Sequence, residues 1–494
     1  MEKQNTYLHI LKYTGMFGGV QGLNILISLV RNKLVAMILG PMGMGTVALF
    51  ASTAKLVGDA TNLGLPMSAV RHISDVFERG DVEATRRMIC IFRSWSLLAS
   101  LLGMFLCIVL SPLLGDLTFS FGNHTLHFVY LSPVVALTTI AAGEAAILKA
   151  TRRLRSLALL SIMGVVAALV ISVPIYWIFG MSGIVPSLVA VAFAQAVITL
   201  MFSLRLYPLR LTLRLPMLRE GAGFVRLGLA FVAGCVLGSG AEFVIRSYLN
   251  NVGQVQVVGL YNAAYMMIFT YAGMIFTAME TDYYPRLSAV PSLGPEFNKV
   301  VNTQIEVSLL LIAPMLACFV VCMPILLPML YSGKFLPVLP MIQVAALSMY
   351  ARTMFLPIEY ISLSRADSVS YLVIEFTSYL ILVVLIIFGY DHWGLFGTGV
   401  AMAVAGFLEF VYVYVYCRMR FGFVLSGGVA RMMCVQLSLG LLAYLCTFIH
   451  DALLYWASGL FFCTLSVAYS LSILRRHTHL VDSLRRRFAG KFKL

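Results

Sequence analysis

Charged residues are scarce in this chain: only 11% of its 494 residues are Asp, Glu, Lys or Arg, whereas 60% are hydrophobic. This composition excludes an ordinary soluble enzyme and a disordered chain. Acids are the scarcer charges, at 21 against 35 bases, so the net charge is +14. The bases cluster beside apolar stretches, which indicates contact with lipid headgroups and argues against a nucleic-acid partner.

Paired cysteines and metal-ligand patterns are also lacking. The nine cysteines form no CxxC pair and lie mostly in apolar segments, so we interpret them as small core residues. His124 and His127 have no acidic or thiol partner nearby and predict no metal site. The run GPMGMG at 40–45 lacks the Lys-Ser/Thr of a phosphate loop and predicts a tight outward turn. No catalytic residue, metal or cofactor is predicted.

Long apolar stretches dominate what is present. About fourteen stretches of ~20 residues are each long enough to cross ~30 Å of hydrocarbon as a helix. The N-terminal segment lacks a small-residue cleavage site and predicts no cleavable signal. With the N-terminus in the cytoplasm, nearly all loop bases face inward, and the outward loops hold a single base, Lys334. We therefore predict an all-α polytopic membrane protein with both termini cytoplasmic. The predicted spans are 11–38, 46–70, 88–114, 125–148, 157–179, 184–204, 225–249, 255–280, 304–329, 338–362, 370–389, 395–416, 431–449 and 453–474.

Four residues of the first half recur in the second half at an offset of 214 or 215 residues. The pairs are Arg31 with Arg246, Gly45 with Gly259, Arg71 with Arg286, and Ser74 with Ser288. Such a parallel repeat predicts two six-helix lobes related by pseudo-symmetry, as in transporters. Chance similarity between leucine-rich segments is the alternative. The predicted divisions are an N-lobe at 1–204, a cytoplasmic linker at 205–224, a C-lobe at 225–418, two additional helices within 419–474, and a basic cytoplasmic tail at 475–494.

Eight charged residues are predicted to lie deep within these stretches, where a charge costs about 2.5–3.5 kcal/mol on insertion scales. The bases are Arg31, Lys33, Lys55, Arg246 and Arg352, and the acids are Asp59, Glu242 and Glu359. Two i,i+4 spacings, Glu242 with Arg246 and Lys55 with Asp59, are compatible with simple intrahelical pairs. The excess of bases predicts a water-filled cavity where the five bases bind an anionic group, above all phosphate or pyrophosphate. Arg31 and Arg246 are expected to meet across the pseudo-two-fold axis.

Four other charged residues are expected at the ends of spans. Arg93 is expected to extend to the cytoplasmic interface, and Glu144, Glu375 and Glu409 are interpreted as interface residues.

Two signature segments resemble a known family. Residues 31–74 contain an LGPxGxG turn at 39–45, LG at 63–64 and R-x-I-S at 71–74, and the second half contains VGLYNAAYMM at 258–267 and YYPRLSAV at 283–290. These segments resemble the bacterial polysaccharide transporters of the O-antigen-flippase type. That family belongs to the multidrug/oligosaccharidyl-lipid/polysaccharide (MOP) exporter superfamily.

The resemblance implies a flippase rather than an enzyme, with two lobes around a central cleft and alternating access. Its substrate would be a polyprenyl-pyrophosphate-linked oligosaccharide, moved across the bacterial inner (plasma) membrane for surface polysaccharide biosynthesis. Cationic residues occur in spans 1, 2 and 7 of that family, where Arg31, Lys55 and Arg246 lie. The last two spans would face the lipid tail. A proton or sodium gradient is the expected energy source, with Asp59, Glu242 and Glu359 as candidates for ion coupling. The expected partners are the lipid-linked glycan, membrane lipids, a glycan polymerase and glycosyltransferases.

Three other functions remain open. An ion-coupled drug or metabolite antiporter of the same superfamily would favour cationic substrates, which the excess of deep bases disfavours. A polysaccharide polymerase or ligase would need a sizeable outward loop with catalytic Arg or His residues. A scaffold for glycan assembly would leave the deep arginines without a role.

Overall fold

The computed structural model of the chain describes residues 2–119, 122–212, 221–273, 276 and 283–477, and its regular elements there are all helices. The prediction of an all-α protein is confirmed. The helices of the first half are α1 (Glu2–Thr61), α2 (Leu65–Glu78), α3 (Val82–Val109), α4 (Ser111–Thr118), α5 (Thr125–Ala150), α6 (Leu154–Phe179) and α7 (Ile184–Leu206). Those of the second half are α8 (Ala222–Gly253), α9 (Val255–Tyr265), α10 (Pro295–Leu330), α11 (Leu339–Ala345), α12 (Ser348–Ser364), α13 (Ser368–Phe421), α14 (Gly427–Leu445) and α15 (Ala452–His477).

Two helices are far longer than a membrane is thick. α1 has 60 residues and α13 has 54, which correspond to roughly 90 and 80 Å at 1.5 Å per residue. Each is broken at a glycine with positive φ, Gly40 (φ 64°, ψ −170°) and Gly394 (φ 58°, ψ −143°). Because a hydrocarbon layer spans only about 30 Å, each helix contains two crossings joined at its glycine. The turn expected over 40–45 is thus a break at one residue, followed directly by Pro41.

Eight helical runs in the described part are long and apolar enough to cross a membrane, or nine if the bent pair Gly333–Ala345 and Ser348–Ser364 is one span. Three of these runs, of 40, 52 and 54 residues, contain a glycine with positive φ. The chain is therefore a multi-pass membrane protein. The number of fourteen spans and the cytoplasmic placement of both termini stay predictions.

The second predicted span, 46–70, ends earlier than expected. α1 stops at Thr61, and Gly64 (φ 63°) starts α2, with the side-chain oxygen of Asn62 accepting a hydrogen bond of 2.7 Å from the Gly64 N–H. α2 buries Leu65 and Ile73 on one face. Residues 71–78, between the second and third predicted spans, thus belong to an amphipathic helix, and residues 82–87 are the start of α3.

The chain forms two compact units, Met1–Asn262 with Met329–Lys334, and Ala263–Pro328 with Phe335–Leu494. The first unit has a core between α2, α3, α5 and α8 that includes Ile73, Phe92 and Phe224. The second has a core that includes Phe297, Phe355 and Phe423. The predicted lobe boundaries stay predictions. Residues 213–220 of the predicted linker and 478–494 of the predicted tail lie outside the described residues.

The last two helices are joined inside the second unit. The buried side chain of Gln436 on α14 accepts a hydrogen bond of 2.6 Å from the Ser466 hydroxyl and donates one of 2.7 Å to Ser470, both on α15. α15 also packs on α10, where the hydroxyl of Tyr455 donates to the Val321 carbonyl at 2.7 Å.

Candidate functional site

Two glycines at equivalent positions of the sequence repeat hold α1 against α9. A Cβ atom on Gly45 would lie 2.1 Å from the Val255 carbonyl oxygen, and one on Gly259 would lie 1.8 Å from that of Pro41. Both distances are far below van der Waals contact, so only glycine permits this crossing. The repeat therefore brings Gly45 and Gly259 into direct contact.

A second close approach joins the start of α2 to α8. A Cβ atom on either Gly64 or Gly228 would lie 2.0 Å from a backbone oxygen of the other segment. These two approaches hold the part of α1 after Gly40 against α8 and α9, so that polar side chains on the facing surfaces meet.

The side chains that meet here form a connected network of ion pairs and hydrogen bonds. The Lys55 Nζ lies 3.2 Å from Glu242 Oε1, and the Arg246 Nη1 lies 2.9 Å from Glu242 Oε2. The Arg246 Nη2 donates to the side-chain oxygen of Asn262 at 3.1 Å. The pair between Glu242 and Arg246 is the one predicted from their spacing. Lys55, however, pairs with Glu242 on another helix rather than with Asp59 in its own helix.

Lys55 and Asp59 line a cavity of about 340 Å³. Its other polar side chains come from Asn62, directly after α1, and from Thr138 and Thr139 on α5. The Lys55 side chain is 52% exposed, whereas that of Arg246 is only 9% exposed. Lys55 is therefore the cation of this group that can reorient towards a bound molecule, while Arg246 remains paired with Glu242.

Arg31 and Lys33 lie on the part of α1 before Gly40. The Arg31 Nε donates to the hydroxyl of Ser172 on α6 at 3.0 Å, and among the described residues it forms no ion pair. The Lys33 Nζ donates to the Met329 carbonyl at 2.9 Å. The expected meeting of Arg31 and Arg246 across the axis stays a prediction.

The second unit holds acids that the sequence interpretation placed at an interface. Glu359 on α12 lies within electrostatic range of Glu375 and Glu409, both on α13. The hydroxyl of Tyr371 donates to Glu375 Oε1 at 2.8 Å. Glu375 and Glu409 thus face Glu359 inside the bundle, and their interpretation as interface residues is wrong.

Arg352 is the base beside these acids. Its guanidinium carbon lies 5.8 and 5.6 Å from the ring centroids of Phe269 and Phe276, a distance that permits cation–π contact. In the part of the chain that the structure describes, no group of three or more His, Cys, Asp or Glu side chains is arranged to hold a metal ion.

Arg93 does not extend to the interface as expected. Its Nε and Nη2 lie 2.8 and 2.9 Å from the two carboxylate oxygens of Glu144, and both side chains are almost fully buried. Its Nη1 donates to the carbonyl oxygens of Tyr207 and Pro208 at 3.0 and 3.1 Å. Arg93 therefore joins α3, α5 and the segment after α7.

Several solved structures share the fold. The lipid II flippase MurJ in an inward closed conformation has a TM-score of 0.74, with 13% identity over 93% of this chain and 99% of that one. An inward-facing multidrug resistance MATE family transporter of the MOP superfamily has a TM-score of 0.66, with 14% identity over 83% and 96%. A MOP superfamily transporter from Pyrococcus furiosus has a TM-score of 0.60, with 14% identity over 83% and 96%.

A search of curated proteins finds no match. The family described as polysaccharide biosynthesis protein matches residues 32–340, which include the motifs at 39–45, 63–64, 71–74, 258–267 and 283–290. Five of the eight predicted site residues lie within the match, and Arg31, Arg352 and Glu359 lie outside it. The match covers well over half of the chain. The chain therefore belongs to the polysaccharide biosynthesis protein family and has the fold of the MOP superfamily of transporters and flippases.

Proposed function

We propose that this chain is a flippase that moves a polyprenyl-pyrophosphate-linked oligosaccharide across a bacterial plasma membrane by alternating access. Surface polysaccharide biosynthesis, of the O-antigen type, would use the product. The observation that carries the proposal is the half-exposed Lys55 at the wall of a cavity, where it is held by a carboxylate that it shares with Arg246. The match to the polysaccharide biosynthesis family supports the choice of substrate.

The shared carboxylate suggests how an anion enters. Glu242 forms ion pairs with two cations, so an incoming pyrophosphate can bind Lys55 while Arg246 remains paired with Glu242. Arg31, which among the described residues donates to one hydroxyl and forms no ion pair, offers a second cation for a phosphate oxygen. Lys33, with one backbone carbonyl, and Arg352, between two rings, are the further candidates.

Ion coupling is the second part of the proposal. Two neighbouring carboxyl groups can share one proton, and Glu359 lies within electrostatic range of Glu375. Asp59 and Glu242 are the alternative carriers, since an anion that displaces Glu242 from Lys55 would leave a carboxylate able to bind a proton or a sodium ion. Moving one charge through 100 mV releases about 2.3 kcal/mol, which is enough to bias the cycle.

An ion-coupled antiporter of drugs or metabolites is the second candidate function. The acids of the second unit favour it, because three carboxyl groups beside one arginine suit a cationic substrate. Structural similarity to the MATE transporter is compatible with it as well. A polymerase or ligase finds no support in the described residues beyond hydrophobicity.

Transport by purified protein in proteoliposomes tests the proposal. We expect translocation of a short-chain polyprenyl-pyrophosphate oligosaccharide. Arg31→Gln and Lys55→Gln should each lower its rate at least about tenfold, since a lost charged hydrogen bond costs about 1.5–3 kcal/mol. Arg31→Lys should restore only part of the rate, because an ammonium group lacks the planar fork.

Arg418→Gln is the matched control, because Arg418 is exposed in the last turn of α13 and its substitution removes the same charge. It should leave the rate unchanged. Transport of a cationic dye without movement of the glycolipid would instead establish the antiporter.

A further inference from the structure

A second basic site lies in the first unit, away from the Lys55 cavity. A cleft of about 120 Å³ is lined by Arg86, Cys90 and Arg93 on α3 and by Tyr207, Pro208 and Arg210 after α7. The ends of α3, α5 and α7 that meet here are the ends predicted to face the cytoplasm. We propose that this cleft binds the phosphate group of an anionic phospholipid headgroup in the cytoplasmic leaflet. The proposal does not rest on the transported substrate.

The cleft has more positive charge than its own acids can neutralise. Arg93 is paired in full, since Glu144 takes two of its nitrogens and backbone carbonyls take the third. Arg86 and Arg210 are exposed, and neither forms an ion pair with any described residue. Two arginines with free planar donors therefore face one small cleft, which suits the oxygens of a phosphate.

The backbone that carries Arg210 is held in place. Arg93 binds the carbonyls of Tyr207 and Pro208, and the Ser94 hydroxyl accepts a hydrogen bond of 2.8 Å from the Thr212 N–H. Arg210 lies between these two anchors and within electrostatic range of the Cys90 thiol, as Arg93 does. The segment after α7 is thus fixed over α3, which reduces the entropy that Arg210 would lose on binding.

The position of the cleft favours a lipid over a soluble anion. Its remaining walls, Ile89, Tyr207 and Pro208, are apolar or aromatic and suit the glycerol and acyl part of a lipid. Anionic lipids attract juxtamembrane bases by about 1 kcal/mol each, so two arginines at one headgroup give selective binding.

Lipid binding to the full-length protein tests the proposal. Native mass spectrometry would count bound phosphatidylglycerol against phosphatidylcholine for the wild type, Arg86→Gln, Arg210→Gln and the double variant. We expect a preference for phosphatidylglycerol that falls about fivefold for each single variant, as about 1 kcal/mol per base implies, and further in the double variant. Inorganic phosphate should compete only weakly.

Arg155→Gln is the matched control, because Arg155 is exposed on the first turn of α6, on the same predicted side, outside the cleft. It should keep the wild-type preference. Equal lipid binding by the double variant, or an equal loss in Arg155→Gln, would overturn the site. Competition by inorganic phosphate at the same concentration as the lipid would overturn the lipid as its ligand. Circular dichroism of each variant verifies that the helices are intact.

Discussion

Glu242 shows how one residue can hold two cations of different mobility. Arg246 is mostly buried, while Lys55 is half exposed to the cavity. Replacing Glu242 would therefore harm the protein mainly through Arg246, since a buried charge without an anion is costly whereas Lys55 can be hydrated. Loss of stability and loss of transport can thus be separated by substituting Lys55 rather than Glu242.

The buried pair of Arg93 and Glu144 permits a sharper prediction. Arg93→Met should lower the free energy of unfolding by about 3–5 kcal/mol, because it leaves the Glu144 carboxylate buried without a partner. Arg93→Met combined with Glu144→Leu should recover much of this loss, since the charge is then absent. Thermal unfolding in detergent measures both.

Arg152→Met is the control for that experiment. Arg152 pairs with Glu78, but both side chains are more than half exposed, so the cost should stay below about 1 kcal/mol. If the double variant at the buried pair were as unstable as the single one, the loss would come from the contacts of Arg93 with Tyr207 and Pro208 instead.

Local spacing predicted some of these residue contacts and missed others. The pair of Glu242 and Arg246 follows from an i,i+4 spacing within one helix. The partner of Arg93 lies 51 residues away on α5, and no local pattern shows that α3 and α5 place the two side chains opposite each other. The same reason explains why Glu375 and Glu409 were placed at an interface.

At the scale of helices, the crossing of α1 and α9 depends on its glycines. Gly45→Ala should lower thermal stability and reduce transport, because its Cβ would lie 2.1 Å from the Val255 carbonyl oxygen and force the helices apart. Thermal unfolding and the proteoliposome assay measure the two effects.

Gly22→Ala is the matched substitution in the same helix. A Cβ on Gly22 would meet no atom within 4 Å, and alanine favours helix by up to about 1 kcal/mol over glycine. Stability should therefore be unchanged or higher. An equal loss in both variants would show that a flexible glycine, rather than the close approach, is what α1 needs.

Hydrophobic run length predicted most helices, since a crossing must be apolar over about 20 residues. It placed the end of the second span too late, because Leu65–Val70 is apolar enough to extend the run although it belongs to α2. The apolar side of α2 packs on α3 and α5, inside the protein. Hydropathy alone does not distinguish burial in protein from burial in lipid.

Across the whole molecule, the deep charges are divided unequally. In the first unit the named bases Arg31, Lys33, Lys55 and Arg246 outnumber the acids Asp59 and Glu242, whereas in the second unit Arg352 faces Glu359, Glu375 and Glu409. We therefore propose that the main anion-binding bases, Arg31 and Lys55, lie in the first unit and that the first candidate for ion coupling, Glu359, lies in the second.

This division predicts which substitution uncouples transport. Glu359→Gln should give the same rate of glycolipid transport with and without a pH gradient, because the shared proton site is lost, while binding of the glycolipid stays intact. Glu296→Gln, an exposed acid at the start of α10, should keep the dependence on the gradient. A sodium gradient applied at constant pH identifies the ion.

Retention of the pH dependence by Glu359→Gln, together with its loss in Asp59→Asn, would place coupling in the first unit instead. The sequence predicted the fold and the family, since composition and the signature segments carry that information. It did not predict the ion pairs between different helices, such as Arg93 with Glu144, because these depend on helix crossings distant in the chain.

The breaks at Gly40 and Gly394 also bear on how the protein reaches the bilayer during synthesis. With a single glycine between two crossings, there is no hydrophilic loop for the translocation machinery to pass on its own. The two crossings of each helix are therefore expected to enter the lipid together, as a pair. Arg31 and Lys33 would then leave the aqueous channel alongside the second crossing, and the ribosome must complete about sixty residues of α1 before these two charges are buried.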